Sequence, residues 1–154
     1  MSVFDIRIDH PQAAGLDESG IRRAAAAALE AAGAADNVEA ALILGGDADL
    51  RRLNRDFRGV DQVTDVLAFP DGGENPENGL LYLGDVVIAY PSAALQAQEA
   101  GHSPGDEIQL LVIHGLLHLL GYNHDGREES ARMWEIQKRA LSLIESPIKS
   151  EDWE

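Results

Sequence analysis

Three of the five histidines in this 154-residue chain, His114, His118 and His124, fall within the segment HGLLHLLGYNH at residues 114–124. On a helix of about 3.6 residues per turn, His114 and His118 project from one face, one turn apart, which brings two imidazoles to a single metal ion. Gly121 follows and can end the helix in a left-handed conformation, so that the chain turns and His124 swings back as a third ligand. Three protein ligands leave one tetrahedral position for water or substrate, the pattern of a catalytic zinc site; structural sites are closed by a fourth protein ligand. One histidine beside Leu117, Leu119 and Leu120 would read as a hydrogen-bonded core residue. Packing has no reason to require three at this spacing. His10 and His102 lack such partners and read as surface residues.

The elements that must position these rings are legible from periodicity. Val3, Asp5, Arg7 and Asp9 alternate with Phe4, Ile6 and Ile8, the period of a strand with one buried face. Asp17 can cap a helix running through Ile21 to about Ala32, with Gly33 as its stop. Val38 to Leu44 reads as a second strand, and after the Gly45-Gly46 turn Asp47 opens a short helix in which Leu50, Leu53 and Phe57 recur at helical spacing. Val66 to Phe69 and Leu80 to Tyr90 form a hairpin-like pair joined by the turn-rich loop DGGENPENG. Helices follow at Ser92 to Ala100, Pro104 to Leu120 and Glu128 to Ile144. The expected architecture is α+β: one domain over residues 1–146, with a small mixed β-sheet of about four strands packed against helices, and residues 147–154 as a flexible tail. The metal site falls on a helix of the C-terminal half and the turn after it.

Composition bounds the chemistry. At 45% hydrophobic and 25% charged residues the chain has the make-up of an ordered globular domain. With no cysteine, disulfides and thiolate metal sites are excluded, and a transition metal must be held by nitrogen and oxygen. The N-terminal stretch MSVFDIRIDH has no signal-peptide pattern, and no apolar run approaches membrane-spanning length, so a cytoplasmic protein without a membrane partner is expected. The formal net charge of −15 argues against tight, non-specific binding of a polyanion. It leaves room for a local contact, since exposed charges beyond about 8 Å are largely screened. Arg51, Arg55 and Arg58, at helical spacing, are one candidate basic stripe.

The histidine spacing also matches the metzincin protease pattern H-E-x-x-H-x-x-G-x-x-H at every position but one: Gly115 stands where those proteases carry the glutamate base. The whole segment HGLLHLLGYNH resembles the YbeY family signature H-G-x-L-H-L-x-G-Y-D-H, departing from it at Asn123 in place of Asp. Upstream, RGVDQVTDVLAFP at 58–70 and LGDVVI at 83–88 resemble further family segments. The resemblance implies a zinc-dependent endoribonuclease, one Zn²⁺ per chain, that cuts single-stranded RNA. Its implied role lies in ribosomal RNA maturation, at the 3′ end of the small-subunit RNA, and in ribosome quality control, with ribosomal partners and no DNA. His114, His118 and His124 would hold the metal, and Arg58 matches the family arginine assigned to catalysis. Asp61, Asp65 and Asp85 are candidates for orienting a histidine or, more simply, for capping turns; Met133 reads as core. The rival readings are a metalloprotease-like hydrolase and a non-catalytic ribosome-assembly factor with a structural metal.

Overall fold

The computed structural model describes residues 1–149. Four strands form one mixed sheet: β1 (Val3–Ile8), β2 (Val38–Gly45) and β4 (Leu81–Ala89) run parallel, and β3 (Val66–Pro70) pairs antiparallel with β4 at the edge, giving the order β1-β2-β4-β3. Five helices complete the single α+β domain: α1 (Glu18–Ala32), α2 (Asp47–Arg58), α3 (Tyr90–Ala100), α4 (Pro104–Leu119) and α5 (Arg127–Leu143).

Strand alternation sorts the side chains into two cores. Val86 and Ile88 of β4, with Ala40, Leu42 and Leu44 of β2, face α1, α4 and α5, while Val87 and Ala89 turn to the opposite face and meet Leu50 of α2 and Leu67 of β3. Helix α4 packs on α1, α3 and α5 and also on β3 and β4, and is buried without interruption from Leu110 to Leu117. Each such Leu or Ile contributes roughly 1.5–3 kcal/mol. This helix carries the first two histidines of the segment, so the site is anchored to a deeply buried element of the fold.

Local signals act as their chemistry predicts. The Asp17 carboxylate accepts from the Ser19 N–H at 3.0 Å to start α1, and Gly33 ends it at φ 67°. Ser103 caps α4, accepting from the Asp106 N–H at 3.1 Å. Asp47 accepts from both the N–H and the hydroxyl of Ser92, tying the start of α2 to α3. Helix α3 begins at Tyr90, earlier than expected, because Pro91 sits in its first turn, where an N–H is not needed. Phe57 departs from the apolar stripe of α2: it is 69% exposed and rests edge-on against Phe69.

Two histidines expected at the surface are engaged instead. His10 is half-buried, stacks on Tyr90 and accepts the Gln12 N–H, capping a short 3-10 turn at Pro11–Ala13 that periodicity did not announce. The His102 side chain is only 15% exposed, and its Nε2 lies 2.5 Å from the buried Glu107 carboxylate. The tail expected from residue 147 lies mostly outside the described residues; within them, Ile148 is buried in the main core. No helix among the described residues is long and apolar enough to cross a membrane.

The β3–β4 pairing depends on a glycine. Opposite Glu39 and Ala40 the register shifts, and Gly84 takes φ +138°, where an added Cβ would stand 2.1 Å from the Phe69 carbonyl oxygen. Gly84→Ala is therefore expected to lower unfolding free energy by about 2–4 kcal/mol, combining overpacking with backbone strain. Urea unfolding measures it, and an unchanged midpoint would contradict this account of the pairing.

Candidate metal centre

The end of α4 turns as its glycine predicts. Gly121 adopts φ +100°, its N–H donates to the His118 carbonyl, and the Tyr122 N–H donates to the Leu117 carbonyl at 3.0 Å. The reversed chain brings His124 back over α4. Nε2 of His118 lies 3.1 Å from Nε2 of His114, and Nε2 of His124 lies 3.3 Å from that same nitrogen. One ring nitrogen from each residue falls in a group spanning no more than 4.8 Å, and together they could hold one metal ion. His114 is buried, His118 half-buried and His124 exposed, so the cluster opens from the core towards solvent.

Helix α5 supplies a residue that motif reading missed. Gln137, 1% exposed, places its Oε1 3.1 Å from Nδ1 of His114. An amide oxygen only accepts, so Nδ1 carries the proton and the lone pair of Nε2 faces the other two rings. The available signal was a polar side chain on the apolar face of α5 shared with Met133, Ile136, Ala140 and Leu141. Met133 itself is plain core. Burial, reinforced by the neighbouring His118, pushes the His114 pKa down to about 3. His118 is also lowered, by burial first and then by His124. Both rings therefore stay neutral at ordinary pH, the form that ligates metals.

An open cleft of about 450 Å³ is lined by the three histidines and Gly115 together with residues 64–68, Pro70 and Arg58. A Cβ at Gly115 would sit 2.5 Å from Cγ1 of Val86, so no glutamate can occupy the metzincin base position without displacing β4. Arg58 makes no ion pair among the described residues, and its charge reaches His118, opposing protonation of that ring. Of the other two arginines of the candidate stripe, Arg51 pairs with Asp61 at 2.8 Å and Arg55 with Asp56 at 3.1 Å. Of the candidate carboxylates, Asp61 serves that pair and Asp85 accepts the Tyr82 hydroxyl, so neither orients a histidine. Asp65 lines the cleft. Asn123 accepts the Asp125 N–H at 2.8 Å, a turn-capping role that aspartate would fill equally well.

A mixed-sheet domain with three imidazoles gathered at the end of a buried helix, beside an arginine-bearing cleft, has the layout of a hydrolase centre. Comparison with known proteins makes the assignment specific: the family model described as Endoribonuclease YbeY matches residues 8–145, and the chain belongs to that family. Among similar proteins, Endoribonuclease YbeY of Chloroflexus aurantiacus is 39% identical over 94% of this chain and 98% of its own. The Aquifex aeolicus protein of the same name is 41% identical over 83% of this chain and 84% of its own. The solution structure of a Thermotoga maritima protein superposes with a TM-score of 0.62 at 28% identity, covering 97% of this chain and 95% of that one.

Two outcomes follow from the ring environment. Gln137→Leu, which removes the acceptor that holds the His114 tautomer, should weaken metal affinity roughly 10–100-fold, measured by competition with a chelating dye. Wild-type affinity would contradict the assigned role. In the metal-free protein, an unfolded imidazole protonates near 6.5 whereas folded His114 waits until about 3, so between these values the unfolded state binds more protons. This contribution to stability is complete above about pH 6.5 and is lost as pH falls towards about 3. Urea midpoints should drop across that window, and less steeply in His114→Gln; equal slopes would contradict the ring's buried, neutral state.

Proposed function

We propose that this chain is a zinc-dependent endoribonuclease acting on single-stranded RNA, with His114, His118 and His124 as ligands of one Zn²⁺ and Arg58 as the catalytic residue that meets the scissile phosphate. The observation that carries this reading is the convergence of three ring nitrogens in the same cleft as an arginine without an ion-pair partner among the described residues. Tetrahedral zinc with Zn–N bonds of about 2.0–2.1 Å sets neighbouring nitrogens about 3.3 Å apart. The observed separations of 3.1 and 3.3 Å fit that geometry, and the all-nitrogen donor set suits zinc. When bound, zinc supplies Lewis-acid polarisation of a phosphoryl oxygen and lowers the pKa of coordinated water towards about 7.

The protein's own groups account for the rest. The Arg58 guanidinium offers paired donors to phosphate oxygens, stays charged at every working pH and can stabilise charge developing on phosphorus. With a net charge of −15, recognition must be local: the RNA is drawn to a few groups in the cleft, not to a basic surface. Work on ribosomal RNA in the cytoplasm, at the 3′ end of the small-subunit species and in ribosome quality control, is the role the family likeness supports, and curated relatives carry the name Endoribonuclease YbeY. The crowding of Gly115 against Val86 weighs against a protease, because the base used by metzincins has no space. The three-ligand set, with a cleft in front of it, weighs against a structural metal in an assembly factor.

Zinc-loaded protein should cut an unstructured RNA oligonucleotide and leave unfolded protein intact. Arg58→Ala should keep one zinc per chain while losing about 10²–10³ in rate, and His118→Ala should lose both zinc and cleavage. RNA cleavage at the wild-type rate by either variant, or proteolysis without RNA cleavage, would overturn the assignment.

A further inference from the structure

We propose that the Asp65 carboxylate is the proton acceptor of the cleft, the group that takes the proton from the attacking hydroxyl when RNA is cut; this rests on the endoribonuclease reading above. Position 115, where a metzincin carries its base, is closed by Val86. Among the described residues that line the cleft, Asp65 is the one carboxylate. It lines the same cleft as the three rings and does not join their ligand group, so it shares the cleft without being a fourth ligand.

The Asp65 carboxylate differs from the neighbouring candidates in its partners. Asp61 is occupied by Arg51, and Asp85 by the Tyr82 hydroxyl. The Asp65 side chain, by contrast, accepts no hydrogen bond and forms no ion pair among the described residues, so the turn-capping role expected for it is not what it does. Its position is nonetheless fixed: the backbone carbonyl accepts the Ala89 N–H at 2.8 Å immediately before β3 begins, and the residue is half-buried. An unpartnered carboxylate on a residue that lines the cleft and is held by its backbone is arranged to meet a proton brought by substrate. Asp125 is the nearest competitor, since its charge reaches His118, but it is exposed and lies outside the cleft lining.

In the step assigned to it, a hydroxyl of water or of the RNA 2′ position loses its proton to Asp65, and the freed oxygen electron pair forms the new O–P bond. The P–O bond to the departing ribose breaks, and its electron pair leaves on the ribose oxygen, which takes a proton from solvent. Asp65 then returns its proton to solvent.

The test compares wild type, Asp65→Asn and Asp65→Glu as full-length, zinc-loaded chains on a single-stranded RNA oligonucleotide, reading cleavage rate, zinc per chain, affinity for a non-cleavable oligonucleotide and thermal midpoint. Asp65→Asn is expected to lose about 10²–10⁴ in kcat while zinc content, binding and thermal midpoint stay at wild-type values, and Asp65→Glu to recover part of the rate. Cleavage by Asp65→Asn within about threefold of wild type would overturn the proposal, since even a modest general base contributes about 10²-fold. Loss of zinc or of oligonucleotide affinity in parallel with rate would overturn it too, by making Asp65 a ligand or binding residue. Wild-type protein that leaves the oligonucleotide intact defeats the underlying endoribonuclease reading, and is distinguishable because the failure then precedes any substitution.

Discussion

Helix α4 lies against β4 so closely that nothing larger than hydrogen fits at position 115, where a Cβ would meet Val86 at 2.5 Å. The site's other properties follow from that contact. It sinks His114, the preceding residue, into the core, where Gln137 of α5 can reach its Nδ1. Burying an imidazole is costly unless its polar atoms find partners, and the glutamine offsets that cost while choosing which nitrogen faces the cluster. The same contact leaves no room for the carboxylate that a metzincin-like motif carries at this position.

The gradient of burial across the three rings is equally a product of packing. His114 belongs to the core, His118 to its margin and His124 to the loop beyond Gly121. A cation held there would be rigidly fixed on one side and open on the other, the asymmetry expected of a centre that exchanges ligands. The edge strand β3 lines the same cleft, as does Arg58, the last residue of α2.

Much of this was legible in the chain itself. Alternation in residues 3–9 marked β1 and its buried face, and the H-x3-H-x2-G-x2-H spacing marked a helix, a turn and a returning ligand, because each signal is local. The strand order β1-β2-β4-β3 was not legible, since periodicity reports which face is buried and not which neighbour covers it. Gln137 escaped notice for the same reason: its partner lies 23 residues away on another helix. The pairing of Arg51 with Asp61 was not legible either, because helical spacing places charges on a face but does not show which partner folds back onto them. His102 was misjudged because its buried partner Glu107 sits beyond a helix cap, where sequence distance says little about burial.

Zinc-edge X-ray absorption on the metal-loaded protein tests the central claim most directly. The account predicts three imidazole nitrogens at about 2.0–2.1 Å and one exchangeable oxygen in the fourth position. Four protein-derived ligands, or fewer than three imidazoles, would contradict it.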